Sequence, residues 1–130
     1  MTTRDAIYTD GAPAAAGPYS QAIRTGDLVF TAGQLGLDPA TGEFAGPDVA
    51  SQAEAALGHL RAILEAAGSG LERMVKVTVF LADIGDWPAV NEVYARLVPE
   101  PYPARSAFAV KDLPKGARVE IEAVAAVRVG

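Results

Sequence analysis

Between residues 49 and 67 the apolar positions fall on one stripe. Val49, Ala53, Ala56, Leu57, Leu60, Ile63, Leu64 and Ala67 recur mainly at spacings of three and four, which on a helix gathers them on a single buried face. Asp48 stands ahead of the stripe as a candidate N-cap, and Ser51 with Glu54 reads as a capping box one turn later. Gly68 follows the last stripe residue, where a helix-ending glycine belongs. The pattern predicts a helix over residues 48–67. A second stripe, Val90, Val93, Tyr94 and Leu97, predicts another helix that Asp86 caps, with Pro88 in its first turn. Pro99, Pro101 and Pro103 close it.

Other segments alternate. Residues 74–81 set Val75, Val77, Val79 and Leu81 against Lys76, Thr78 and Phe80, a strand with one clearly apolar face. Residues 20–25 and 28–32 are β-prone runs on either side of Gly26-Asp27, a type II′ hairpin signal, so they are expected to pair antiparallel. A short apolar stretch at residues 6–9 suggests an edge strand. Residues 105–110 resume the strand pattern, Lys115-Gly116 turns the chain, and residues 118–129 read as the longest strand. The Pro and Gly of residues 11–18 forbid a regular element there, and Asp38-Pro39-Ala40-Thr41-Gly42 is a turn sequence. No internal repeat or linker intervenes. The order predicts one α+β domain over residues 1–130, with two helices against a mixed sheet.

The last strand says more. Val119, Ile121, Ala123, Ala125, Val127 and Val129 are uniformly apolar and suit the side under the helices. The alternate positions, Arg118, Glu120, Glu122, Val124, Ala126 and Arg128, mix charge with aliphatic carbon. Two helices can cover only one face of such a sheet, so the apolar residues of the other face point to a partner subunit.

Composition narrows the chemistry. The 130 residues include no cysteine, which excludes disulfides, thiolate metal sites and a cysteine nucleophile. The net charge of −5, without a basic block, lacks the footprint that a phosphate backbone demands, so no nucleic-acid partner is expected. The N-terminal residues lack the apolar run of a secretion signal, and no window reaches the ~20 apolar residues of a membrane span. The chain reads as a soluble cytoplasmic domain with no membrane partner.

Few residue patterns carry chemistry by themselves. His59 is the sole histidine; it falls beside the apolar stripe without a second ligand type around it and reads as a solvated, helix-flank residue. No metal cluster is expected. Without another base the serines cannot form a hydrolase triad, and no glycine-rich phosphate loop occurs. Glu120 and Glu122 lie two apart on one strand, with Cα atoms about 6.6 Å apart. Such a pair can do acid–base work or stay two solvated charges; sequence alone favours the second, unless a subunit boundary buries one and raises its basicity. Arg105 follows a stretch stiffened by three prolines. It suits a bidentate clamp for a small carboxylate, or a plain surface ion pair. Tyr19 can cover a pocket or plug the core.

Six segments, taken together, resemble the Rid family of reactive intermediate deaminases, also called the YjgF family. They are Gly17-Pro18-Tyr19-Ser20-Gln21, Thr31-Ala32-Gly33-Gln34, Val75-Lys76-Val77-Thr78-Val79-Phe80-Leu81, Asn91-Glu92-Val93-Tyr94, Pro103-Ala104-Arg105-Ser106 and Val119-Glu120-Ile121-Glu122-Ala123. They keep the family order and cover nearly the whole chain. The resemblance, RidA-like in kind, implies a chorismate-mutase-like α+β fold, a mainly antiparallel sheet with both helices on one face, and a homotrimer with a central barrel and clefts between subunits. It implies hydrolysis of 2-imino acids, such as those released by threonine dehydratase, to 2-keto acids and ammonia. By that similarity Arg105 would fork onto the substrate carboxylate and Glu120 would position the attacking water. Backbone N–H groups near Gly33 and Ala107 would add donors, Tyr19 would line the cleft, and Asn91 would contribute more weakly.

A protonated imine is already electrophilic at C2, so the implied reaction calls for no cofactor and no metal. The site must hold a carboxylate, orient one water and accept its proton. Two positions depart from familiar members of the family: Ala32 stands where many have Ser, and Ala107 where many have Cys. The rival readings are a non-enzymatic, chaperone-like trimer that binds small carboxylates and, more distantly, an endoribonuclease.

Overall fold

The structure is a computed structural model that describes residues 3–128. Helix α1 (Val49–Ala66) starts where its cap residue predicts: the Asp48 carboxylate accepts from the Ser51 backbone N–H at 2.9 Å. That bond, above all, holds the Asp48 carboxyl below the usual carboxylate range. The expected Ser51–Glu54 capping box does not form. Ser51 lies inside the first turn and donates its hydroxyl to Asp48 at 2.8 Å, while Glu54 pairs with Arg96 at 3.3 Å. At the other end Gly68 adopts φ +84°, its N–H reaches Glu65 O at 3.1 Å, and Ser69 N–H reaches Leu64 O at 2.8 Å. This is the Schellman closure that a left-handed glycine allows.

The strands are β1 (Asp5–Ile7), β2 (Ala22–Thr25), β3 (Leu28–Thr31), β4 (Gln34–Leu35), β5 (Met74–Leu81), β6 (Ala104–Ala109) and β7 (Val119–Ala126), with helix α2 (Trp87–Leu97) between β5 and β6. They form one sheet in the order β1-β2-β3-β7-β5-β6, with β4 continuing the β3 side of β7. Every pairing is antiparallel except β5 with β6, which α2 joins as a crossover. The fold is α+β, as the element order predicts. The β2–β3 hairpin has Thr25 opposite Leu28 and Gly26 at φ +58°, the positive angle a type II′ turn needs at its first loop position.

Several boundaries differ from the sequence pattern. The edge strand is residues 5–7 rather than 6–9, β6 begins one residue early at Ala104, and β7 stops at Ala126. Val129, included in the expected strand, lies outside the described residues. In β5 the register slips between Met74 and Lys76, so Met74 is buried and Val75 is turned out, 47% exposed. Asp86 makes no side-chain cap on α2. Its two carboxylate oxygens instead accept from Arg118 Nη2 at 3.0 Å each.

The core lies between the helices and one sheet face. Leu57, Leu60, Ile63 and Leu64 of α1 and Val90 of α2 are fully buried against Val77, Val79, Leu81, Val119 and Ile121. Each such side chain contributes about 1.5–3 kcal/mol of transfer free energy. The opposite sheet face keeps large apolar groups in the open: Phe30 and Phe108 are each 44% exposed, and Phe108 meets Phe80 edge-on at 5.4 Å. Among the described residues no helix is long and apolar enough to cross a membrane. Gly36 lets the loop after β4 press onto α1, for a Cβ there would stand 2.3 Å from the backbone oxygen of Gln52. Gly36→Ala is therefore expected to lower unfolding free energy by about 2–3 kcal/mol in a denaturant titration.

Candidate functional site

Side-chain alternation sorts the expected site residues into two groups. On β7, Val119 and Ile121 face the helices, so Glu120 leaves the opposite face, beside Glu122. On β6, Arg105 and Ala107 pair with the buried Val77 and Val79 of β5 and so face the helix side. Within one chain, therefore, Arg105 and Glu120 depart from opposite faces of the sheet.

The first group collects on α2. Trp87, Asn91 and Tyr94 are spaced four and three apart, which brings them to one helix face. The Arg105 guanidinium carbon lies 4.5 Å from the Trp87 ring centroid and 4.6 Å from that of Tyr94. Asn91 Oδ1 accepts from Arg105 Nη1 at 2.9 Å. The surface ion pair that one reading of Arg105 foresaw is absent: among the described residues no carboxylate pairs with it. Asn91, Tyr94 and Arg105 border a pocket of about 300 Å³ that Ala95, Tyr102 and Pro103 complete. Tyr94 is 2% exposed and its hydroxyl has no hydrogen-bond partner among the described residues. Burial raises its pKa, partly offset by the Arg105 charge. Ala107, two residues on, is half-buried on the same side and does not line this pocket.

The second group gathers at the start of β7. Glu120, Gly33, Tyr19 and Lys115 border a cleft of about 340 Å³ whose remaining wall mixes Pro, Leu and Ala side chains with the polar Gln21, Gln34 and Asp38. Glu120 is half-buried, contrary to the solvated reading. Burial pushes its carboxyl above the usual range, and the neighbouring Glu122 charge adds to the rise. Its carboxylate folds over the bare backbone of Gly33, where a Cβ would come within 2.5 Å of Oε2. Gly33→Ala is expected to leave the fold intact, since only the mobile end of Glu120 must give, and yet to displace that carboxylate. The check is a melting temperature within a few degrees of the parent together with lost activity.

Two buried polar side chains brace the loops around this cleft. Gln21 accepts from Thr9 N–H at 2.8 Å and donates to the carbonyls of Thr9 at 3.1 Å and Pro13 at 2.9 Å. His59 is not the solvated residue its place in the pattern suggests. It is 8% exposed, its Nε2 donates to Leu37 O at 2.5 Å, and burial lowers its pKa, opposed by nearby carbonyls and Asp38. Tyr19 is open to solvent and its hydroxyl accepts from Ala16 N–H at 3.3 Å. No cluster of three or more metal-ligating side chains occurs among the described residues.

Sequence reasoning missed Trp87 entirely and took Tyr94 only as core. The four-and-three spacing of Trp87, Asn91 and Tyr94 was the available signal. Gln21 and the loop it holds had no local signal, because its partners are backbone groups.

Known proteins match this chain over nearly its whole length. A family model described as endoribonuclease L-PSP matches residues 9–127. A RutC family protein, y4sK, of Sinorhizobium fredii is 56% identical over 118 residues, 91% of this chain and 94% of that protein. A human protein named 2-iminobutanoate/2-iminopropanoate deaminase is 47% identical over 122 residues, 94% of this chain and 89% of its own. Among solved structures, RidA from the Antarctic bacterium Psychrobacter sp. PAMC 21119 superposes with a TM-score of 0.92 at 47% identity, covering 95% of this chain and 100% of the other. The YjgF gene product of E. coli gives 0.91 at 42% identity, covering 95% and 99%.

Proposed function

The chain belongs to the Rid (YjgF, L-PSP) family and to its RidA-like branch, and from that premise we propose that it hydrolyses small 2-imino acids to 2-keto acids and ammonia. The observation that carries this reading is Arg105: a guanidinium held against two rings and an amide, with no carboxylate of its own among the described residues. Such a group in an acidic chain is poised for an external carboxylate.

In the proposed reaction the protonated imine lies with its carboxylate on Arg105. Glu120 accepts a proton from a water as that water's oxygen bonds to C2. Glu120 returns that proton to the nitrogen of the resulting tetrahedral carbinolamine; as the C–N bond breaks, the hydroxyl gives its proton to Glu120 and becomes the ketone, and the departing ammonia carries that proton away as ammonium. The Arg105 charge is unchanged throughout, while Glu120 cycles between its two protonation states. Glu120 is suited to that cycle because burial raises its proton affinity. Tyr19 and the backbone at Gly33 would border the reacting atoms, with Asn91 acting on Arg105.

Since the two groups leave opposite faces of one chain, a complete site needs a second copy. We infer a homotrimer in which Arg105 of one protomer and Glu120 of a neighbour share each cleft. The exposure of Phe30 and Phe108 on the open sheet face supports such packing. RNA cleavage is the weaker reading: the sole histidine is buried against Leu37 and the net charge is −5.

The test generates 2-iminopropanoate and 2-iminobutanoate in situ with an amino-acid oxidase or a dehydratase and follows keto-acid formation. Catalytic amounts of this protein should speed it. A rate equal to that without the protein leaves the carboxylate-binding trimer as the alternative, and light scattering reports the oligomeric state.

A further inference from the structure

Three arginines satisfy their guanidinium groups on carboxylates: Arg96 on Glu54, Arg118 on Asp86 and Arg128 on Glu72. Arg105 instead lies over aromatic carbon. Trp87 and Tyr94 stand seven residues apart on α2, about two turns, and the guanidinium carbon is within 4.6 Å of both ring centroids. Asn91, between them in sequence, takes one of its five N–H donors. The guanidinium thus lies over two rings and spends one N–H on Asn91, and among the described residues no carboxylate takes the others.

We propose that Trp87 and Tyr94 are positioning residues, an aromatic cradle that holds the Arg105 fork with its free edge presented to the substrate carboxylate. This rests on the reading of Arg105 as the carboxylate clamp. An arginine side chain free to rotate would lose that freedom each time it bound, and it would be open to capture by a carboxylate of the chain itself, as Arg96, Arg118 and Arg128 are. A guanidinium stacked on rings gives up little further freedom on binding. Stacking leaves the edge donors untouched, whereas an ion pair would consume them. A lysine could not substitute, for its ammonium has neither a flat face to stack nor a fork to offer.

The carboxylate bears the same charge before and during the reaction, so loosening the clamp weakens ground state and transition state alike. That predicts an effect on KM rather than kcat. The experiment titrates the stable keto acid 2-oxobutanoate into the wild type, Trp87→Leu, Trp87→Phe and Arg105→Ala, and measures KM and kcat on in-situ 2-iminobutanoate. The Arg105 Nε–H signal is followed by NMR for its exchange with water. Trp87→Leu should raise Kd and KM about tenfold, leave kcat within about twofold, and speed the Nε–H exchange. Trp87→Phe keeps a ring and should restore most of the affinity. Should Trp87→Leu unfold, Trp87→Met supplies an unringed side chain of greater length. If Trp87→Leu binds 2-oxobutanoate as the wild type does while Arg105→Ala has lost it, the cradle is overturned and the clamp stands. If Arg105→Ala binds unchanged, the clamp itself fails.

Discussion

Replacing Arg105 with alanine is expected to reduce kcat/KM for in-situ 2-iminobutanoate by about 10²–10³-fold, with the fold and oligomeric state unchanged. The side chain is exposed and belongs to edge strand β6, so its removal leaves no cavity in the core. What disappears is a forked, charge-assisted contact worth about 3–4 kcal/mol when both N–H groups engage a carboxylate. Arg105→Lys should recover little of it, because the ammonium lacks both the fork and the flat face that lies over Trp87 and Tyr94. The control is an imine without a carboxylate: wild type and variant should treat it alike. Equal rates for both proteins on the 2-imino acid would remove the carboxylate clamp from the mechanism.

Glu120→Gln carries the other large effect, an expected loss of about 10²–10⁴-fold in kcat, the usual contribution of a positioned base. The amide matches the carboxylate in size and can still hold a water, but it cannot take the proton. The pH dependence follows from the direction of the shift. Burial first, and the Glu122 charge second, raise the Glu120 pKa above the ordinary carboxylate value. Activity should therefore rise with pH through a limb lying above the usual carboxylate range, and that limb should vanish in Glu120→Gln. Glu122→Gln removes the like charge and should move the limb to lower pH.

The same shift bears on stability. A carboxyl that holds its proton more tightly folded than unfolded favours the folded state most fully below its unfolded pKa. That contribution is lost as pH rises through the folded value. Glu120→Gln should therefore lose no stability at neutral pH relative to the wild type, and melting curves at pH 4 and pH 7 would show it. A variant that is both inactive and less stable at pH 7 would point to a structural role for this side chain.

How much could be read along the chain varies with the range of the interaction involved. Helix α1 was legible from its stripe, its Asp48 cap and its closing Gly68, all of which act within a few residues. The β2–β3 hairpin was legible because two residues set its turn. The misread details each had a distant competitor. Asp86 serves Arg118 from across the fold instead of capping α2. Val75 is turned out by a register slip against β7, which no property of residues 74–81 announces. β4 is only two residues long and exists because β7 extends past β3 and needs a partner there. His59 is buried because the loop at Leu37 comes down on α1, a meeting that helical spacing cannot foretell.

The candidate site divides along the same line. Residue order alone determined that this is an α+β chain with two amphipathic helices, one half-covered sheet and the segments that mark its family. Arg105, Glu120, Gly33, Tyr19 and Asn91 could all be named from those segments, since a motif survives in the order of residues. Tertiary structure decided which of them meet. It set Arg105 on the Trp87 and Tyr94 rings, folded Glu120 over Gly33, and sent the two charges out of opposite faces of the sheet. The reason is physical: which side of a sheet a residue leaves depends on the register between strands far apart in sequence. One residue of slip reverses it.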